Sequence, residues 1–158
     1  MPESKTAALA RKVPDFSAAS TGGDFRLSQL RGQILVLYFY PKDNTPGCTT
    51  ESQDFAAAHE NFVKAGATVV GVSRDSLASH EKFRAKFDLP FHLLSDPDEA
   101  LCSLFGVMKQ KNMYGKMVRG IERSTFLVDA GGVLRQEWRG IKIPGHVDAV
   151  LDAVKALA

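Results

Sequence analysis

The sequence predicts an α/β fold with a mostly parallel central sheet and a β-hairpin at one side. Two continuous apolar runs of strand-forming residues, ILVLYFY at 34–40 and TVVGV at 68–72, indicate strands buried on both faces of a sheet. Segments with helical periodicity lie between such runs, and a glycine turn separates two later strand candidates. The predicted element order is therefore β-α-β-α-β-α-β-β-α.

Three further segments complete the predicted sheet. FHLL at 91–94 is a short strand candidate that follows the run at 68–72. STFLVD at 124–129 and VLRQEW at 133–138 are separated by Ala130-Gly131-Gly132, and this spacing favours a β-hairpin. The sheet would then carry an antiparallel pair at one side.

Helices are predicted where apolar residues recur at spacings of three and four. The first predicted helix has one apolar stripe, formed by Phe55, Ala58, Phe62 and Ala65. The second has a similar stripe and Ser76 as its N-cap, and its apolar residues are Leu77, Phe83 and Phe87. The clearest amphipathic helix closes the chain, with Val147, Val150, Leu151, Val154 and Leu157 on one face.

Two segments between these helices are less regular. DPDE at 96–99 suggests a helix cap, a proline at the first helical position and acidic residues in the first turn. The segment 107–123 has no clear period and is long for a connection, so we interpret it as either mobile or functional.

Composition predicts one domain over residues 1–158 and excludes several classes of protein. The formal net charge of +2 is too small to imply a nucleic-acid or membrane partner. The longest apolar run, at 34–40, is well short of the ~20 residues that a membrane span requires. The first twelve residues lack the apolar core of a secretory signal, so we expect a cytoplasmic protein with reduced thiols.

One of the two cysteines lies in PKDNTPGCTT, directly after the most apolar run. Thr45 suits a helix N-cap and Pro46 the first helical position, which would place Cys48 in the first turn. Backbone N–H groups there lack intrahelical partners and the helix dipole is positive, so the nucleophilic thiolate is favoured. The alternative is a small buried cysteine that only packs.

These residues resemble a known family. Pro41, Thr45 and Cys48 stand in the order Pro-x-x-x-Thr-x-x-Cys, the signature of the peroxiredoxins, and FYPKDNTPGCTTE, KNMYGK and GIERSTFLVD resemble their Q subfamily, the bacterioferritin comigratory proteins. The resemblance runs across essentially the whole chain. It implies a thioredoxin-like fold with a central mixed β-sheet flanked by helices. It also implies a thiol-dependent peroxidase for hydrogen peroxide and organic hydroperoxides, with antioxidant activity and no cofactor.

The resemblance assigns roles to four side chains. Cys48 would be the peroxidatic nucleophile that becomes a sulfenic acid, and Thr45 would bond the peroxide through its hydroxyl. Pro41 would shield the thiolate from bulk water, and Arg123 would place a guanidinium near thiolate and substrate. A peroxide needs a nucleophile aligned with the O–O bond and donors on the developing negative charge, and these groups supply both.

Two further residues extend this predicted site. The backbone N–H groups of Gly47 and Cys48 are candidate donors to the substrate. Glu51, one turn after Cys48, is a candidate for orienting Arg123. The alternative for Arg123 is an ordinary solvated arginine at the start of a strand. The alternative for Thr45 is a plain N-cap, which is compatible with the catalytic role.

The chain departs from the Q subfamily at the resolving cysteine. Many members carry it five residues after the first cysteine, where this chain has Gln53, and others carry it where this chain has Arg84. The remaining candidate for a resolving cysteine is Cys102. It borders the apolar face of a short predicted helix, so we interpret it as a packing residue and keep the resolving role as the alternative. We therefore expect a one-cysteine enzyme, recycled by thioredoxin, glutaredoxin or glutathione, and a monomer, as the resemblance favours.

Other site classes find little support. The four histidines, His59, His80, His92 and His146, show no metal-ligand spacing, so no metal site is predicted. A dithiol oxidoreductase would need a cysteine where Glu51 stands. The basic residues of 107–123 lack the aromatic support of a nucleic-acid surface. A redox-sensing or chaperone-like thiol switch remains an alternative, which steady peroxide consumption would exclude.

Overall fold

The computed structural model describes residues 7–157, apart from the side chains of residues 111 and 113. Its strands are Ser17–Ser20 (β1), Gly23–Arg26 (β2), Ile34–Phe39 (β3), Ala67–Ser73 (β4), His92–Ser95 (β5), Met108–Met113 (β6), Lys116–Ile121 (β7), Ser124–Val128 (β8) and Leu134–Arg139 (β9). Its α-helices are Pro46–Ala57 (α1), His59–Lys64 (α2), Leu77–Lys86 (α3), Ala100–Phe105 (α4) and His146–Leu157 (α5).

The central sheet is mixed, with the strand order β2-β1-β5-β4-β3-β8-β9. Only the central pairs β3–β4 and β4–β5 are parallel; the other pairs are antiparallel. The predicted α/β class and the predicted hairpin of β8 and β9 are confirmed. The prediction of a mostly parallel sheet is wrong. The N-terminal hairpin β1–β2 was not predicted, and β8 pairs antiparallel with both β3 and β9.

Strand β3 lies inside the sheet, between β4 and β8, and every one of its residues is buried. Its side chains alternate between two apolar cores, as the pleat of a strand requires. On one face Tyr38 and Tyr40 pack with helices α1, α2 and α5. On the other face Leu37 and Phe39 pack with helix α4.

Helix α1 is fixed to the sheet through Tyr38. The ring of Tyr38 stacks on that of Phe55 with centroids 4.6 Å apart, and its hydroxyl lies 2.9 Å from Ser52 Oγ. Gly71, the register partner of Tyr38 on β4, makes room for the ring. A Cβ atom at position 71 would lie 2.7 Å from Tyr38 Cζ, so only glycine fits.

Two predicted helix boundaries need correction. The stripe predicted as one helix is divided at Ala58, whose backbone leaves the helical conformation between α1 and α2. The segment DPDE does not place Pro97 at a first helical position. Helix α4 begins at Ala100, after Glu99 in a left-handed conformation, and the Asp96 carboxylate accepts from the N–H groups at 101 and 102.

Other predictions about the elements are confirmed. Ser76 is the N-cap of α3 and accepts from the N–H of Ser79 at 3.2 Å, and α5 buries the predicted apolar face. By contrast, the segment 107–123, for which no element was predicted, forms a separate hairpin, β6–β7, which turns at Tyr114 and Gly115, both with positive φ. Within residues 7–157, none of the helices is both long enough and apolar enough to cross a membrane.

Candidate active site

The predicted nucleophile lies in the first turn of α1, where the chain turns sharply after β3. Thr45 is the N-cap, in an extended conformation, and Pro46 occupies the first helical position, as predicted. The Thr45 side chain makes no capping bond; its Oγ1 instead donates to the Lys42 carbonyl at 2.9 Å. Cys48 is only 1% exposed and packs in the same core as Tyr38.

Arg123 is distant from Cys48 in the sequence but contacts it in the folded chain. It directly precedes β8, whose first residue, Ser124, pairs with Phe39 at the end of β3. This register brings the guanidinium over the first turn of α1, with Nη2 3.3 Å from Cys48 Sγ. The structure thus joins two predicted site residues that are far apart in the sequence.

Glu51 holds the other side of the same guanidinium. Arg123 Nη1 donates to Glu51 Oε1 at 2.7 Å, and the Glu51 side chain is 0% exposed. Oε2 is buried with no hydrogen-bond partner among the described residues. Burial raises the pKa of Glu51 to about 7, although Arg123 opposes this change. The predicted contact between Glu51 and Arg123 is therefore present.

The pKa of Arg123 is raised. Burial acts to lower it, but the neighbouring Glu51 and Cys48 outweigh burial. The guanidinium consequently stays charged. One of its amino groups donates to the Glu51 carboxylate and the other donates to Cys48 Sγ. It is a fixed source of positive charge at the thiol.

Gly47 and Pro41 complete the immediate surroundings. A Cβ atom at position 47 would lie 3.3 Å from Arg123 Nη2 and 3.4 Å from Ile143 Cδ1, so the glycine leaves space for the guanidinium. Pro41 is half-buried at the start of the loop that leads to Thr45. All the predicted site residues except Cys102 thus lie on this loop, on the first turns of α1 or against them.

Cys102 lies on the other face of the sheet. It is 0% exposed, in the core that contains Leu37 and Phe39, whereas Cys48 belongs to the core that contains Tyr38. Burial, and then Asp96, raises the pKa of the Cys102 thiol well above its ordinary value. The expected packing role fits this position, although the residue is fully rather than partly buried.

Sequence reasoning missed a polar cluster beside the site, in which Tyr40, Asp43 and His80 are buried and Asp75 and Ser79 are half-buried. Three of its members, Asp43, Asp75 and His80, offer ligand atoms within 4.8 Å of one another. His80 Nδ1 lies 2.7 Å from Asp43 Oδ2, and its Nε2 lies 2.8 Å from the Leu94 carbonyl oxygen. Both ring nitrogens therefore already have protein partners, and the cluster is a hydrogen-bond network.

A signal for this cluster exists in the sequence. His80 stands three residues after Leu77 and three before Phe83, on the apolar stripe of α3, which is typical of a buried histidine. His146 is also buried; its Nε2 lies 2.8 Å from Thr125 Oγ1, and burial together with Arg123 lowers its pKa to about 4.

Comparison with known proteins agrees with this geometry. Residues 9–137 match the model of the AhpC/TSA family. Peroxiredoxin Bcp of Xanthomonas campestris is 58% identical over 139 residues, which cover 88% of this chain and 87% of that protein. Peroxiredoxin Bcp of Bacillus subtilis is 46% identical over 154 residues, covering 97% and 98% of the two chains.

A solved structure of a Xanthomonas campestris protein is also similar to this chain in both sequence and fold. It belongs to a set of trapped intermediate and ligand complexes that address the alkyl peroxide reduction activity of the Xanthomonas campestris bacterioferritin comigratory protein. It superposes with a TM-score of 0.85 at 55% identity, over 89% of this chain and 90% of that one. The predicted thioredoxin-like fold and the predicted family are confirmed. This chain therefore belongs to the AhpC/TSA family and, within it, to the Bcp or Q peroxiredoxins, which are thiol peroxidases.

Proposed function

We propose that Cys48 is the peroxidatic nucleophile of this thiol peroxidase, acting on hydrogen peroxide and organic hydroperoxides. The observation that carries the proposal is the 3.3 Å contact between Cys48 Sγ and Arg123 Nη2 at the first turn of α1. A permanently charged donor at this distance lies where the attacking sulfur and the peroxide oxygens carry negative charge during the reaction. The alkyl peroxide activity of the Xanthomonas campestris relative supports organic hydroperoxides as substrates.

The first chemical step is a displacement at oxygen. The Cys48 thiolate attacks the terminal oxygen of the hydroperoxide, an S–O bond forms, and the O–O bond breaks. Sulfur is oxidised to the sulfenic acid, and the peroxide is reduced to an alkoxide or hydroxide, which takes a proton from solvent. Negative charge moves from sulfur to the leaving oxygen, so donors fixed beside this path lower the barrier.

Each neighbouring group has a part in this step. Arg123 stabilises first the thiolate and then the oxygen that develops charge, while Glu51 orients the guanidinium. Thr45 bonds the peroxide through its hydroxyl, which can both donate and accept. The N–H groups of Gly47 and Cys48 are additional donors, because the first turn of a helix leaves them unpaired. Pro41 excludes water from the thiolate.

We propose that recycling uses an external thiol in a one-cysteine mode. That thiol attacks the sulfenic sulfur and releases water, leaving a mixed disulfide with Cys48. A second external thiol then attacks this mixed disulfide, which frees Cys48 and joins the two external thiols in a disulfide. Thioredoxin, glutaredoxin and glutathione are the candidate reductants. The placement of Cys102 on the opposite face of the sheet supports this mode, because a disulfide requires Cα atoms within about 7 Å.

Two variants test these proposals. Cys48→Ser should abolish peroxide reduction by the folded protein, and comparable turnover by this variant would remove the central assignment. Cys102→Ser should keep full turnover with an external thiol. Mass spectrometry of peroxide-treated wild type should find a sulfenic acid on Cys48 that excess peroxide drives to sulfinic acid. A Cys48–Cys102 cross-link in the digest would instead establish a two-cysteine enzyme.

We further propose that the chain acts as one peroxiredoxin domain and as a monomer in the cytoplasm. The near-neutral formal net charge of +2 favours neither a nucleic-acid nor a membrane partner. Sedimentation that shows a stable dimer at low micromolar concentration would contradict the monomer. Peroxide consumption beyond one equivalent per Cys48, in the presence of a thiol, separates an enzyme from a thiol switch.

A further inference from the structure

The loop that carries Pro41 and Thr45 lacks regular structure, so other interactions must hold it. It begins after β3, and Asn44 adopts a left-handed conformation with φ 59°. Midway along the loop, Asp43 points inward, and its side chain is only 4% exposed. A buried carboxylate is stable only if its oxygens are well bonded, and Asp43 meets this condition.

Three side chains converge on the Asp43 carboxylate. Tyr40 Oη donates to Oδ1 at 2.6 Å. From helix α3, Ser79 Oγ donates to Oδ2 at 2.8 Å, and His80 Nδ1 lies 2.7 Å from the same oxygen. Because His80 Nε2 is held by a backbone carbonyl of β5, the imidazole ring cannot swing away from Asp43 without losing a second bond.

The backbone of Asp43 is fixed as well. Its N–H donates to Asp75 Oδ2 at 2.9 Å, and Asp75 follows strand β4. The middle of the loop is therefore tied to three other parts of the fold: the end of β3, the start of α3 and the segment after β4. Pro41 and Thr45 stand two residues to either side of this anchor.

We propose that Asp43, anchored by His80, is a positioning residue for the peroxidase reaction. It holds the loop in the shape that presents Pro41 and Thr45 to the peroxide, and it acts without touching the substrate. Within residues 7–157, no hydrogen bond links this network to Cys48 Sγ, which is bonded by Arg123 instead. The proposal rests on the assignment of Cys48, and its test therefore includes a reaction of Cys48 that does not need the loop.

The experiment compares two reactions of reduced protein in a Cys102→Ser background, where Cys48 is the only thiol. Oxidation by hydrogen peroxide needs the loop in position to present Pro41 and Thr45, whereas alkylation by iodoacetamide needs the thiolate and access to it. A loosened loop does not reduce access to a thiol that is only 1% exposed. Asp43→Ala should slow oxidation by roughly tenfold or more, the scale of a small misplacement of reacting groups, without slowing alkylation. Asp43→Asn should restore most of the oxidation rate, because an amide can bond both Tyr40 and His80.

A matched control lies at the other end of the sheet. The Asp129 carboxylate accepts from the N–H groups of Gly131 and Val133 and pairs with Arg135, in the turn between β8 and β9. Asp129→Ala removes a comparable set of bonds, and it should leave both rates at the wild-type level.

Several outcomes would overturn the proposal. These are a wild-type oxidation rate in Asp43→Ala, equal losses in the two reactions, an Asn variant as slow as the Ala variant, and an Asp129→Ala variant as slow as Asp43→Ala. If Asp43→Ala does not fold, Ser79→Ala decides the question, since it removes one bond from α3. Slower oxidation at an unchanged alkylation rate then supports the proposal, and unchanged rates in both reactions refute it. Failure of the Cys48 assignment would appear separately, as peroxide turnover by Cys48→Ser.

Discussion

Replacing Glu51 by Gln tests how the protein holds a carboxyl group in its interior. Burial raises the pKa of Glu51 from 4.5 to about 7, despite the opposing charge of Arg123. Between these two values the folded protein binds a proton that the unfolded chain does not bind. The contribution of Glu51 to stability is therefore fully present below pH 4.5 and is lost as the pH rises through about 7.

The size of this effect follows from the same two values. The difference between 4.5 and about 7 corresponds to roughly 3 kcal/mol of unfolding free energy. Glutamine has nearly the same volume and keeps an acceptor oxygen for Arg123, but it does not titrate. Relative to the Glu51→Gln variant, the wild type should therefore lose stability as the pH rises. His146 and the other titrating groups are common to both proteins and largely cancel.

The assay is urea unfolding at a series of pH values, with both proteins carrying Cys48→Ser to prevent oxidation. The control is Glu60→Gln, which changes an exposed glutamate of α2. The difference between wild type and the Glu51→Gln variant should grow steadily from acid to neutral pH. It should exceed the difference for Glu60→Gln, because Glu51 is buried and Glu60 is exposed. Parallel stability profiles for the wild type and the Glu51→Gln variant would refute the reasoning.

Three further variants test the surroundings of the thiol through the second-order rate with peroxide, measured by stopped flow. Arg123→Met deletes the charge beside Cys48 and should lower this rate by roughly 10²-fold or more, the scale for losing a preorganised donor; a wild-type rate would contradict the assignment. Thr45→Val keeps the shape, deletes the hydroxyl and should cost a similar factor, so an unchanged rate would leave Thr45 as a plain N-cap. Gly47→Ala places a methyl group against Arg123 Nη2 and should slow the reaction less than Arg123→Met does; equal rates in wild type and Gly47→Ala would show that the guanidinium can move aside.

Much of the fold could be predicted because its strongest signals are local. The continuous apolar run at 34–40 identified a strand buried on both faces, β3, and the glycine turn at 131–132 identified the hairpin of β8 and β9. Strands β1 and β2 were not predicted, because SAAS and GDFR are short and contain few strand-forming residues. Strands β6 and β7 were not predicted because they form a separate, largely exposed sheet. Their sequences therefore lack the alternation of apolar and polar residues that marks a half-buried strand.

In the candidate site too, local features could be predicted from the sequence and contacts between distant elements could not. Thr45, Pro46 and Cys48 are neighbours in the chain, so the cap and the first turn could be predicted from their spacing alone. The contact of Arg123 with Cys48 depends on the register of β8 against β3, which the sequence does not reveal. Only the resemblance to a family assigned Arg123 to the site. The bond between Asp43 and His80 could not be predicted, because it joins the loop after β3 to helix α3, and only the fold brings these two elements together.

The glycine of strand β4 has a consequence for how related chains can diverge. Position 71 must stay small for as long as position 38 carries an aromatic ring, because the two side chains would compete for one space. The ring at position 38 in turn carries the hydroxyl that meets Ser52 on α1. We expect positions 38, 52 and 71 to change together during evolution or not at all, so that a strand remote from the chemistry constrains the helix that bears the reactive sulfur.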